Sequence, residues 1–155
     1  MTDVSYMFYG CYALTTVSLP DTSSVTDMNS MFNSCYALTT VSLPDTSSVM
    51  GMNSMFGSCY ALTSVPLFDT SSVTNMGNMF LNCPSLQTGA FNGTEVDISY
   101  ENCLLGRQAI VDIFNGLGDV TLDPKTINIS NNYGVADLIS TDYDIATNKG
   151  WTVTV

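Results

Sequence analysis

Met-Phe stands at residues 7–8, 31–32, 55–56 and 79–80, and cysteine at 11, 35, 59 and 83, each 24 residues after the last. Asp-Thr-Ser-Ser-Val recurs with the same step from residues 21, 45 and 69. A fixed period of this size restricts a chain to architectures in which every unit buries its apolar face only against its neighbours. Two periodicities alternate inside a unit. Val25, Met28, Met31, Phe32 and Cys35 carry the spacing of one helical face. Asp21-Thr-Ser-Ser24 precedes them with side-chain oxygens suited to an N-cap. Leu38, Val41 and Leu43 follow in strand-like spacing until Pro44, which removes a ladder donor. The predicted unit is a short helix of about ten residues, a turn, and a strand of about three to five. Equivalent strands pair in parallel about 4.8 Å apart. The expected fold is therefore an α/β solenoid of 24-residue repeats, with parallel strands on one face and short helices on the other.

The repetition is not uniform. By alignment Met1 corresponds to Val25, so the chain begins inside a repeat and reads as the C-terminal portion of a longer array. The fourth repeat keeps Cys83 and Leu86 but loses the Val-x-Leu pair, and the pattern changes after Asn92-Gly93. The expected division is residues 1–92, four repeats with the first truncated and the fourth degenerate, and residues 93–155, longer units closing the array. In the second part residues 95–100, 126–130 and 151–155 alternate like strands. Ile110, Ile113, Phe114 and Leu117 have helical spacing, with Asn115-Gly116 and Gly118 as stop signals. Thr141-x-x-Asp144 resembles a capping box for a last helix that ends at Lys149-Gly150. These strands are expected to continue the same sheet, with Trp151 covering the end of the core.

Charge narrows the function. The 155 residues carry 14 acids and 3 bases, a net charge of −11, with no histidine. The bases, Arg107, Lys125 and Lys149, all lie beyond residue 92. Nucleic acid is disfavoured, because its binders need clustered cations to displace counterions. Anionic membranes and phosphate ligands are disfavoured for the same reason. The commonest general base and metal ligand is missing. No apolar run approaches the roughly 18–20 residues of a membrane span, and Met1-Thr2-Asp3 does not open a secretory signal.

Each periodic residue type suggests a site and a plainer role. The cysteine column reads as buried thiols packed as small hydrophobes, ahead of disulfides between neighbouring turns; Cys103 falls outside the period. The methionines sit at core spacing and the chain has no Cys-x-x-Cys, so no metal or cofactor is expected. Asp21, Asp45 and Asp69 read as helix caps ahead of calcium ligands, which would require more oxygens than each repeat supplies. Asp142 with Asp144, and Asp119 with Asp123, fit caps and turns better than a glycosidase pair, and no enzyme is expected. Two surfaces remain as binding candidates. One is a tyrosine column, Tyr12, Tyr36 and Tyr60, able to grip a sugar or a protein loop or else to serve as a rim over the core. The other is the open strand face, Thr16, Ser18, Thr40, Ser42 and Ser64, with Pro66 and Phe68.

Leu38-x-x-Val41-x-Leu43 resembles the core of leucine-rich repeats. The longer Asp-Thr-Ser-Ser-Val-Thr-x-Met-x-x-Met-Phe-x-x-Cys-x-x-Leu pattern resembles the BspA-like leucine-rich repeats of bacterial surface proteins. The stretch from Ala109 through Trp151 is similar to segments ending such arrays in gut bacteria and some of their phages. The resemblance implies a leucine-rich-repeat solenoid at a cell or virion surface, extracellular, in an adhesion role with a host protein or glycan as partner. The alternative is a structural spacer that self-associates end to end through its uncapped first repeat.

Overall fold

The computed structural model describes residues 2–89, 91 and 93–155. Met1 and Asn92, on which the expected start and division fall, lie outside the described residues, as does Ala90. The architecture is α/β with parallel strands and few helices. β1 (Thr16–Ser18) pairs with β2 (Thr40–Ser42), Val17 opposite Val41. A second sheet is formed by β3 (Ile98–Ser99), β4 (Lys125–Asn128) and β5 (Trp151–Thr154) in that order. Every pairing is parallel. Among the described residues the helices are α1 (Arg107–Gly116), α2 (Ser140–Thr147) and a 3-10 turn at Tyr133–Asp137.

No helix forms in the segments expected to be helical, around residues 25–35 and their equivalents. Each is a run of turns. Met31, Asn33 and Cys35 donate backbone N–H to the carbonyls of Met28, Ser30 and Phe32. The alternate residues Met28, Ser30, Phe32 and Ser34 donate instead to Gly51, Asn53, Met55 and Gly57 of the next unit. Left-handed residues make this alternation possible: Ser30 (φ 53°), Ser34 (61°), Ser54 (55°) and Ser58 (58°). A left-handed residue breaks the helix and turns the following peptide out of it, at roughly 1–2 kcal/mol each, offset by the bond to the neighbouring unit. Turns of three and helices of 3.6 residues both return the chain to one face at i+3, so the apolar spacing suits either.

The columns continue across units. Asp3, Asp27, Gly51 and Asn75 form successive parallel bridges. Phe8, Phe32, Phe56, Phe80 and Tyr100 stack in one file with centroids 5.2–5.7 Å apart. The C-terminal strands extend this side of the molecule, through the Met76–Ile98 bridge, and do not join the β1–β2 sheet. That corrects the expectation of one continuous sheet.

The third unit departs from the second. Ser64 bridges Thr88 but forms no strand, and Leu67, the counterpart of buried Leu43, is 64% exposed. Phe68 is buried instead, stacked on Phe56 and Phe91, and so leaves the open face where the sequence placed it. Pro66 lies in between. It has no N–H to offer a ladder, and a one-residue shift exchanges inward and outward side chains.

The C-terminal helices are tied by charge. Arg107 grips Asp142 with Nε and Nη2 at 2.9 and 2.8 Å. Asp142 Oδ2 also accepts the N–H of Ile139, so the box that opens α2 uses Asp142 rather than Asp144. The Ile139 N–H, then Arg107, hold this carboxyl below its usual range. Lys149 does not cap α2; its Nζ donates to the carbonyls of Phe114, Asn115 and Leu117 at the end of α1. Trp151 is buried, with Nε1 donating to Gly118 O.

Candidate binding surface

The three tyrosines lie in one file. Tyr12 and Tyr36 have centroids 4.9 Å apart at 27°, and Tyr36 and Tyr60 4.8 Å apart at 14°. Their positions follow from the ladder beneath them, where Ala37 donates to Tyr12 O and Ala61 to Tyr36 O. All three remain exposed, at 61%, 41% and 46%. Tyr36 is flanked by a ring on both faces, so it offers solvent only its edge and hydroxyl.

The strand hydroxyls are partly brought together. Thr16 lies opposite Thr40 and Ser18 opposite Ser42, all exposed. Ser64 is exposed but stands outside this sheet, bridged to Thr88. Leu67, missed as a surface residue, lies nearby in sequence and is open to solvent.

The aspartates cap turns rather than helices. Asp21, Asp45 and Asp69 each accept, on Oδ1, both the N–H and the hydroxyl of the serine two residues on, at 2.6–3.0 Å. These bonds stabilise the charged form and lower the three carboxyl pKa values. Asp3 with Ser5 and Asp119 with Thr121 repeat the arrangement. Beside each aspartate a buried threonine links two units. Thr46 donates its hydroxyl to Asp69 O and accepts the Asp69 N–H, both at 2.9 Å, and Thr22 does the same to Asp45.

The five cysteines are free thiols. Cys35, Cys59 and Cys83 donate Sγ–H to the carbonyls of Phe8, Phe32 and Phe56 at 3.0–3.1 Å. Burial pushes Cys35 up to about 11 and Cys83 up to about 12. Cys103, which the sequence spacing placed outside the period, donates to Phe80 O at 3.4 Å and so continues the column. Asn132 takes the next place, its amide donating to Tyr100 O and Ile129 O while its oxygen accepts from Leu105 N. Asn82, Asn102 and Asn131, all with positive φ, form a side-chain ladder at 2.9 Å. The repeated Asn-Cys at 82–83 and 102–103, each three residues after an aromatic ring, was the available signal.

Stacked parallel units, buried ladders and an exposed small-polar face define the leucine-rich-repeat class. The chain is similar to the crystal structure of the T. pallidum leucine-rich-repeat protein, with a TM-score of 0.56 at 19% identity, over 99% of this chain and 78% of that one. The family described as "Mycoplasma protein of unknown function, DUF285" matches residues 2–104, and the chain belongs to this family, whose repeats are of the BspA-like leucine-rich type. No curated protein matches the chain. No helix of the described residues is long and apolar enough to cross a membrane.

Proposed function

We propose that the chain is a non-enzymatic recognition module, displayed at a cell or virion surface, that binds a host protein or glycan through its repeat face. In this reading it is a solenoid of 24-residue repeats over residues 1–92, closed by the longer units of residues 93–155. The observation that carries it is the stacked, exposed tyrosine file beside strands of threonine and serine. Tyrosine supplies rigid amphipathic area at low entropic cost, and small hydroxyl and amide side chains supply adaptable hydrogen bonds, the chemistry of protein paratopes. Stacking fixes the rings before a partner arrives, which lowers the ordering cost of binding.

An array of glycans and matrix proteins, probed with the purified chain, tests the proposal. Saturable binding lost on Tyr36→Ser with Tyr60→Ser, in a variant of unchanged melting temperature, supports it. Equal binding by both proteins rejects the tyrosine rim. A second reading, end-to-end assembly as a spacer, is favoured by the exposed Tyr6, Met7 and Tyr9 beside the half-covered Phe8. Mass by light scattering that rises with concentration, and no longer does so after Tyr6→Ser with Met7→Ser, supports this second reading; a monomer throughout rejects it.

A further inference from the structure

We infer that the partner of the tyrosine file is a cationic polypeptide segment rather than a glycan; the inference rests on the recognition reading above. Aromatic recognition of a neutral sugar lays the sugar ring on an open aromatic face, and here the faces are largely spent. Tyr36 is sandwiched at 4.8 and 4.9 Å, and Tyr12 and Tyr60 each lose one face to it. The row therefore presents edges and hydroxyls along its length and one outer face at each end, which suits the hydrogen bonds and aliphatic stems of a peptide.

Charge selects the kind of peptide. Residues 1–92 contain no lysine or arginine. Each cation of the chain is engaged internally: Arg107 with Asp142, Lys125 with Asp123, and Lys149 with three carbonyls. The repeats thus carry Asp21, Asp45 and Asp69, held ionised by their serines, with no lysine or arginine of their own, Lys125 reaching the recess beside Thr70 and Ser71. An anionic glycan and a second copy of this −11 chain would both be repelled. A segment carrying several lysines or arginines meets both requirements, with donors for the phenol oxygens and charge for the aspartates that follow each tyrosine nine residues on, past the strand position.

The test titrates the full chain with nona-arginine and with the neutral oligosaccharide chitohexaose at several salt concentrations. Three proteins are compared: the native chain, Tyr36→Ser with Tyr60→Ser, and Asp21→Asn with Asp45→Asn and Asp69→Asn. The asparagines keep the turns, since Asn128 already accepts both groups of Ser130 in this way. The expected result is saturable one-to-one binding of nona-arginine, weakened at least about ten-fold in the tyrosine variant with its salt dependence retained. The aspartate variant should show a shallower salt dependence. Peptide binding that ignores the tyrosines, or no peptide binding, overturns the inference. Chitohexaose binding lost in the tyrosine variant overturns it too, while leaving the recognition module standing. Tyrosine changes that affect neither probe remove the rim from both readings.

Discussion

Cysteine at residues 35, 59, 83 and 103 does two tasks at once, filling the core and donating to a carbonyl of the preceding unit. Cys11, in the same column, is exposed. Maleimide added to the native chain should therefore label one cysteine, Cys11, and all five once urea is present, read by mass spectrometry. Cys59→Ala removes one of the two donors to the Phe32 carbonyl, the Cys35 N–H keeping the other, and should cost about 0.5–1.5 kcal/mol in urea unfolding, whereas Cys11→Ala should change stability by less than about 0.5 kcal/mol. The raised thiol pKa values mean that the folded state keeps these protons longer than the unfolded chain. Their contribution is thus whole below the ordinary value of 9.0 and is lost as pH rises through about 11 to 12. The urea midpoint should fall across that window, and a Cys35→Ser, Cys83→Ser variant should flatten the fall. The aspartates behave in the opposite sense. Their lowered pKa values give stability present above the ordinary 3.8 and lost as pH falls below it. Asp45→Asn, which still accepts from Ser47 but cannot be protonated, should lessen this acid loss, while Asp45→Ala should destabilise at neutral pH.

At the scale of elements, α1 and α2 are tied by side chains from distant positions, Arg107 of α1 to Asp142 of α2 and Lys149 to the end of α1. Neither helix has a basic residue in its last turn. The end of α1 is supplied by Lys149, whose ammonium donates to the Asn115 and Leu117 carbonyls and shares the Phe114 carbonyl with the Leu117 N–H. Lys149→Met keeps the apolar stem and removes the donors. It should cost about 1.5–3 kcal/mol and raise amide exchange in α1 before it does so in β4, measured by hydrogen-exchange mass spectrometry. Gly150, at φ 88° and with a Cβ that would lie 2.7 Å from the Thr121 backbone, lets the chain turn from α2 into β5. Any side chain there would force the two segments apart.

Over the whole molecule, the aromatic file runs through five units, each ring stacked on its neighbours in the file, with Phe68 and Phe91 packed beside Phe56 and Phe80. Stability in such an arrangement is a sum of neighbour terms. Phe56→Ala should cost about 3–5 kcal/mol, and the loss should be local. Amide protection should fall across residues 25–89 while β4 and β5 keep theirs. Uniform loss over the chain would show instead that the units fold as one cooperative block.

The period by itself determined which residues share a column, because a 24-residue step returns the same side chain to the same place in each unit. The core of Met28, Phe32, Cys35 and Leu38, the parallel pairing of Thr16–Ser18 with Thr40–Ser42, and the tyrosine file were all legible in it. Tertiary structure decided what spacing cannot distinguish. Helix and serial turns share the i, i+3 pattern, and only the left-handed serines, steadied by bonds to the next unit, select the turns. The exchange of Leu67 for Phe68 depended on Pro66 and on the rings awaiting Phe68. Cys103 and Asn132 joined the column despite irregular spacing, because what fixes that place is the buried carbonyl of the preceding unit, which needs a donor whatever the length of chain that brings one.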